Sequence, residues 1–155
     1  MFAVPPNTLP ASSGLAVAHP VRIARELAAD RTSWAPLLRY DPDQRWAGLL
    51  HRADGWEAWL LSWLPGQRTD LHDHGSATGA FTVISGTLTE TVVRSAGEAL
   101  HVLRPGQSRV FGPDHVHRVR NDGPDPAVSL HVYRPERPRT TRYGHDLVTG
   151  HLRQD

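Results

Sequence analysis

Between Trp56 and Tyr133 the chain breaks into seven short apolar or alternating runs, each stopped by glycine, proline, aspartate or asparagine. They are WEAWLLSWL (56–64), AFTVI (80–84), TLTETVV (87–93), ALHVL (99–103), SRVFG (108–112), HVHRVRN (115–121) and AVSLHVY (127–133). Runs this short hold strands rather than helices, and the turn chemistry between them favours antiparallel pairing. The pattern predicts an all-β sandwich or small barrel.

The rest of the chain adds little to that frame. Pro20 suits the first position of a helix, and Val21, Ile23, Leu27 and Ala28 continue an apolar helical pattern to about Asp30. A second short helix is expected over Ser33 to Leu38, with Ser33 as its N-cap. Residues 1–18, rich in proline, alanine and serine, read as a loose arm. Residues 19–155 read as one domain, with an irregular tail from Arg134 that is rich in Arg, Pro and Thr. A length of 155 residues is right for a single core.

Composition narrows the function. A net charge of +1 supplies no strong field for nucleic acid or an anionic membrane. No apolar run reaches the roughly 18 residues that span a bilayer. The N-terminus lacks the basic start and continuous apolar segment of a signal peptide, so the cytoplasm is the expected location. A monomer or small homo-oligomer is expected. The absence of cysteine excludes disulfides, thiolate catalysis and cysteine-held metals. Any metal must be held by nitrogen and oxygen, and the chain has ten histidines.

Two of these form an H-x-H pair in LHDHGSATGAFTVISG (71–86). On an extended chain His72 and His74 face the same side, with Cα atoms roughly 7 Å apart, so both rings can converge on one ion. The bland alternative is a pair of surface histidines beside a turn. Asp73, between them, faces away and suits a turn cap. Pro65–Gly66 is a strong turn signal, Gly79 and Gly86 follow the pair, and HRVRN (117–121) brings His117 on a later strand. These residues resemble the two motifs of the cupins, small double-sheet jelly-roll barrels that bind metal inside. In the first motif Gly66, His72, His74 and Gly86 match. The glutamate expected between the histidines and the last glycine falls at Gly79, which has no side chain to coordinate with. In the second, His117 and Asn121 match. Three neutral imidazoles then remain, a set that leaves a divalent ion its full charge and open positions for an anionic ligand. Zinc also accepts three histidines and water, so the ligand types do not choose the metal.

SLHVY (129–133) places Ser129, His131 and Tyr133 on one face of a strand. If that face is interior, the serine can orient the histidine and the histidine the phenol; a strand with merely hydrogen-bonded polar residues is the alternative. Together HDHGSATGAFTVISGTLTET, HRVRN and SLHVY resemble the cysteine dioxygenase and related thiol dioxygenase family of cupins, over roughly residues 60–133. The resemblance implies iron(II) held by His72, His74 and His117, with Ser129, His131 and Tyr133 beside the substrate. It implies a small thiol and dioxygen as substrates and a sulfinic acid as product. Animal members carry a cysteine cross-linked to the tyrosine. The matching position here is Gly79, so the chain resembles the bacterial type and Tyr133 is an unmodified phenol.

The family pairs an arginine, from the strand region before H-x-H, with the substrate carboxylate. The matching position falls near Gly48, and Arg45, Arg52 and Arg68 are the candidates; a bidentate guanidinium suits the role. Trp56, Trp59 and Trp63 cannot all face one way on a single strand and read as core or sheet cover, with Trp63 and Ser62 near the pocket. Phe81 and Val83 read as barrel interior, and Asn121 as a partner of backbone at a strand end. His115 is expected to be exposed near its turn, as are His19, His51, His101, His145 and His151. Two other functions fit the same residues. One is a cupin with another divalent metal doing isomerase or hydrolase chemistry. The other is a ligand-binding cupin with no turnover.

Overall fold

The computed structural model describes residues 18–136, 138–145 and 152–154. The arm expected over 1–18 lies, but for Ala18, outside the described residues, as do His151 and the side chain of His145. Helix α1 covers Pro20–Ala29, with His19 capping it by accepting from the Val21 N–H. Helix α2 covers Arg31–Trp34 and passes into a 3-10 turn at Ala35–Leu37. The N-cap of α2 is Asp30, not Ser33: its carboxylate accepts from the Thr32 N–H, while the Ser33 hydroxyl bonds back to the Asp30 carbonyl. Because the helix starts three residues earlier, the orphan donor is the Thr32 N–H, and the Asp30 carboxylate takes it. Among the described residues no helix is long and apolar enough to cross a membrane.

Among the described residues eleven strands follow: β1 Trp46–Ala53, β2 Trp56–Trp63, β3 Leu71–Asp73, β4 Thr78–Ser85, β5 Leu88–Arg94, β6 Gly97–Leu103, β7 Ser108–Phe111, β8 Val116–Arg120, β9 Ala127–Arg134, β10 Thr141–His145 and β11 Leu152–Gln154. All seven sequence runs are strands. β1, β3, β10 and β11 are additional. The tail expected to be irregular instead continues into β10, which pairs antiparallel with β3 and places Arg142 opposite His72. Its Arg-, Pro- and Thr-rich sequence carries no apolar alternation because its strand pairs along the rim rather than across the core.

The strands form two antiparallel sheets, ordered β1-β2-β9-β4-β7 and β11-β10-β3-β8-β5-β6. Between them lies a core of Leu61, Trp63, Phe81, Val83, Leu88, Leu103, Val119 and Ala127. The five-stranded sheet is covered on its outer face as well. Ile23 and Ala24 of α1 pack on Trp56, Ala58, Leu130 and Val132, and Trp34 packs on Leu60 and Val128. Burial on both faces explains why β2 and β9 read as nearly continuous apolar runs. It also sorts the tryptophans: Trp56 faces the helices, while Trp59 and Trp63 face the interior. On β9 the outward set is Val128, Leu130 and Val132, so Ser129, His131 and Tyr133 point into the barrel.

Candidate metal centre

β3 is short because Pro65–Gly66 forces a turn before it and Asp73 starts another after it. Gly66 has φ +87°, and the Gln67 N–H closes the turn on the Leu64 carbonyl at 3.0 Å. Asp73 accepts from the Gly75 N–H and from the Tyr143 hydroxyl of β10, which confirms its turn-capping role. His72 on β3 stands directly across from His117 on β8. His74 follows the end of β3 and turns its ring toward both. Ring centroids are 4.8 Å apart for His72–His74, 4.7 Å for His72–His117 and 5.6 Å for His74–His117. One nitrogen from each of the three lies within 4.8 Å of the others.

Hydrogen bonds decide which nitrogens face the gap. His72 Nδ1 donates to the Asp70 carbonyl at 2.7 Å, leaving Nε2 as a lone pair. His117 Nδ1 donates to Glu90 Oε1 at 2.8 Å, and its buried Nε2 has no partner. Both nitrogens of buried His74 are likewise without a partner among the described residues. Orphaned buried acceptors are costly, and a cation among these three rings takes one lone pair from each of them. Burial first, then the charge of the neighbouring histidines, holds His72 down at about 4 and His74 at about 2, and burial also lowers His117. All three are neutral at physiological pH, the form in which imidazole binds metal. The residues present therefore fit a metal ion with nitrogen ligands.

The missing carboxylate at Gly79 has a steric cause. A Cβ there lies 2.3 Å from the Phe111 ring and 2.8 Å from the Val132 carbonyl, so neither a glutamate nor a cysteine fits without moving backbone. Gly79 is also the cross-strand neighbour of Tyr133, and the Phe111 ring fills the space beside that phenol at a centroid distance of 5.9 Å.

The five-stranded sheet supplies the facing wall. Trp63 Nε1 donates to Ser129 Oγ at 2.9 Å. The same hydroxyl meets His131 Nε2 at 2.8 Å, a contact in which either atom can donate according to the histidine tautomer. His131 stacks on Phe81 at 4.9 Å, and burial keeps it neutral. The expected second link of the row, from His131 to the Tyr133 hydroxyl, is not among the hydrogen bonds of the described residues. Tyr133 instead sets its ring 4.5 Å from that of His74. Burial raises its pKa, so it is a neutral O–H donor.

Histidines and wall share a cleft of about 1060 Å³ that Arg45, Arg52 and Arg68 all line. Their environments differ. Arg52 Nε donates to the buried Glu57 at 2.9 Å, with its guanidinium 5.6 Å from the Trp59 ring. Arg68 is exposed. Arg45 is half-buried, sits 5.6 Å from the Trp63 ring, and forms no ion pair with a carboxylate of the described residues. Burial lowers its pKa, but a guanidinium stays charged. Arg142 of β10 lines the same cleft.

Three residues escaped the sequence reading. Glu57 and Glu90 are fully buried in phase with apolar neighbours, Glu57 with Trp59 and Leu61, Glu90 with Leu88 and Val92. An acidic residue on the inward phase of a strand was the signal. His115, expected to be exposed, is half-buried because its Nε2 lies 3.1 Å from Glu90 Oε1. Of the other histidines, His19 is exposed as expected, while His51 and His101 are half-buried, His51 stacking on Trp56 at 3.7 Å. Asn121 meets its expectation: it donates to the Trp63 and Asp125 carbonyls and accepts from the Gly123 N–H.

Comparison with known proteins agrees with this architecture. The chain matches the family model "Cysteine dioxygenase type I" over residues 15–146. It is 30% identical to human cysteine dioxygenase type 1, over 79% of this chain and 66% of that protein, just under two thirds of its length. An uncharacterized conserved protein with a double-stranded beta-helix domain from Klebsiella pneumoniae superposes with a TM-score of 0.62 at 21% identity, over 68% of this chain and 90% of that one. The cupin domain of Schizosaccharomyces pombe Cnp3 superposes with a TM-score of 0.56 at 10% identity, over 65% and 66%. The fold is that of the cupins, and a family match spanning the barrel and all three clustered histidines places this chain in the cysteine dioxygenase type I family.

Proposed function

We propose that the protein is an iron(II) thiol dioxygenase acting on a small thiol that carries a carboxylate. The observation that carries this reading is the pairing of two unmet needs in one cleft. Among the described residues, buried nitrogens of His74 and His117 have no partner, His72 turns its Nε2 lone pair beside them, and the half-buried Arg45 guanidinium forms no ion pair with a carboxylate. A thiol acid meets both, with sulfur toward the histidines and carboxylate on Arg45.

His72, His74 and His117 hold the metal. Bound there, iron supplies the activation of dioxygen and the acidification of the thiol. The chain's own residues do the rest. Arg45 anchors the carboxylate by charge-assisted hydrogen bonds and so sets where the sulfur lies. Tyr133, a neutral phenol beside His74, donates a hydrogen bond to the oxygen or headgroup atoms that collect charge during the reaction. His131 is held by Ser129, itself fixed by Trp63, and so keeps the ring beside Tyr133 in place. Phe81 and Phe111 exclude water around the rings. The overall change is balanced without a reductant: both oxygen atoms go to sulfur, which gives up four electrons as the thiol becomes a sulfinic acid.

The test is oxygen uptake by iron-loaded protein with cysteine, 3-mercaptopropionate and cysteamine, and mass spectrometry of the products. A gain of two oxygen atoms from labelled dioxygen is expected for at least one thiol acid. Stoichiometric iron with no sulfinic product from any of them overturns the reading. Turnover that persists without oxygen in zinc- or manganese-loaded protein assigns the site to hydrolase or isomerase chemistry instead.

A further inference from the structure

Inside the barrel, on the side of His117 away from the other two ligands, lies a carboxylate that the reaction described above does not use. Glu90 is at the centre of β5, and its side chain is fully buried. An ionised carboxylate is removed from water only where partners replace the lost solvation. Glu90 has three. Arg109 of β7 donates from Nε to Oε2 at 2.5 Å, and His115 and His117 meet Oε1 at 3.1 and 2.8 Å. The first two reach in from the barrel's edge, where their side chains are about one quarter and one seventh exposed. Glu90 is thus clamped from outside and presents its oxygen to His117.

We propose that Glu90 is a positioning residue that supplies the metal centre with the negative charge its ligands lack, relayed through the His117 ring. This inference rests on the reading of His72, His74 and His117 as ligands. The position where a cupin glutamate coordinates directly is Gly79, closed to any side chain by Phe111 and the Val132 carbonyl. Glu90 lies one imidazole further out. By accepting the Nδ1 proton it fixes the tautomer that turns the Nε2 lone pair to the gap, and a carboxylate acceptor makes that nitrogen a stronger donor. The arrangement delivers charge without occupying a coordination position. More positions stay open for a thiol and dioxygen than a directly bound glutamate leaves. Arg109 and His115 keep the carboxylate on His117: without them the buried acid has no reason to stay ionised.

Titration of the metal-free protein with cobalt(II) and with iron(II) alone, followed by the visible spectrum of the cobalt form, tests the assignment independently of turnover. Glu90→Gln keeps the size of the side chain but not its charge. It is expected to weaken affinity for either ion by about 10- to 100-fold and to shift the cobalt bands, with the folded spectrum retained. Arg109→Met keeps Glu90 and is expected to weaken affinity by a smaller factor. Equal affinity and identical cobalt bands in wild type and E90Q overturn the proposal and leave the thiol dioxygenase reading intact. Wild-type protein that binds neither ion overturns the three-histidine reading itself. Imidazole nitrogen NMR on wild-type apoprotein decides the matter even if E90Q does not fold. A strongly deshielded proton on His117 Nδ1 with bare Nε2 is expected; the opposite tautomer sinks the proposal.

Discussion

The two sheets of the barrel face each other across the cleft with opposite chemistry. The six-stranded sheet brings His72, His74 and His117, all neutral and all offering lone pairs. The five-stranded sheet and its approach bring Arg45, a positive charge, and Tyr133, a neutral phenol with a proton to donate, beside the buried neutral His131. The histidine cluster suits a cation and Arg45 an anion, although Arg142 lines the histidine side and Glu57, held by Arg52, lines the other. Their backing differs too. The five-stranded sheet is packed on both faces, by α1 outside and the core inside. The β3–β8 register is a single cross-strand pair, His72 with His117, steadied by β10 and the Asp73–Tyr143 hydrogen bond. A densely packed wall thus stands opposite a histidine wall whose geometry depends on a few polar contacts, the side that a bound metal would lock.

Breaking the cation wall has the largest expected effect. His74→Ala removes a ligand with two orphaned nitrogens, and metal analysis of the purified variant is expected to show loss of bound iron together with activity. Full iron loading in that variant would remove His74 from the site. On the opposite wall, Arg45→Met is expected to raise KM for a thiol acid about 10- to 100-fold, the worth of a charge-assisted hydrogen bond of about 1.5–3 kcal/mol. KM for cysteamine, which has no carboxylate, should stay within about twofold. A uniform rise across both thiols breaks the assignment. Arg142→Ala, at an exposed position on the rim, should move KM less than about threefold, because exposed pairs contribute little. Tyr133→Phe is expected to lower kcat roughly tenfold, the effect of one lost hydrogen bond of about 1.4 kcal/mol, with metal content unchanged. A parallel loss of metal would move Tyr133 to the other wall.

The smallest effect concerns pH in the metal-free protein. His72 is depressed to about 4 from 6.5, so below pH 6.5 the unfolded chain binds a proton there that the folded chain refuses. Stability should fall as pH drops from 6.5 toward 4, lowering the melting temperature by a few degrees, and His72→Ala should flatten the slope. A melting temperature that rises on acidification over this window contradicts the burial of the ligand wall.

Much of this contrast was legible in the residues. The H-x-H pair and SLHVY each declare one wall through period-two alternation, because residues two apart on a strand share a face whatever else the chain does. The seven apolar runs became strands for the same local reason. Four features were not legible. His115 looked like a turn histidine until Glu90, 25 residues away, arrived beside it. The link from His131 to the Tyr133 hydroxyl was plausible from alternation, but the tyrosine turns to His74 instead. The tail past Arg134 carried no alternation, since β10 pairs with β3 at the rim. Arg45, Arg52 and Arg68 were equivalent by sequence and separated only when Glu57 claimed Arg52 and solvent claimed Arg68.

Local pattern by itself settled the all-β class, the turns and the candidate ligands, because strand periodicity and turn chemistry act between near neighbours. Only the closed barrel decided that Arg45, of the three candidate arginines, is half-buried with no described carboxylate on it, why position 79 has no room for a side chain, and which carboxylate stands behind His117. Those outcomes depend on distances between residues far apart in the chain, which burial and packing set and no short stretch of sequence encodes.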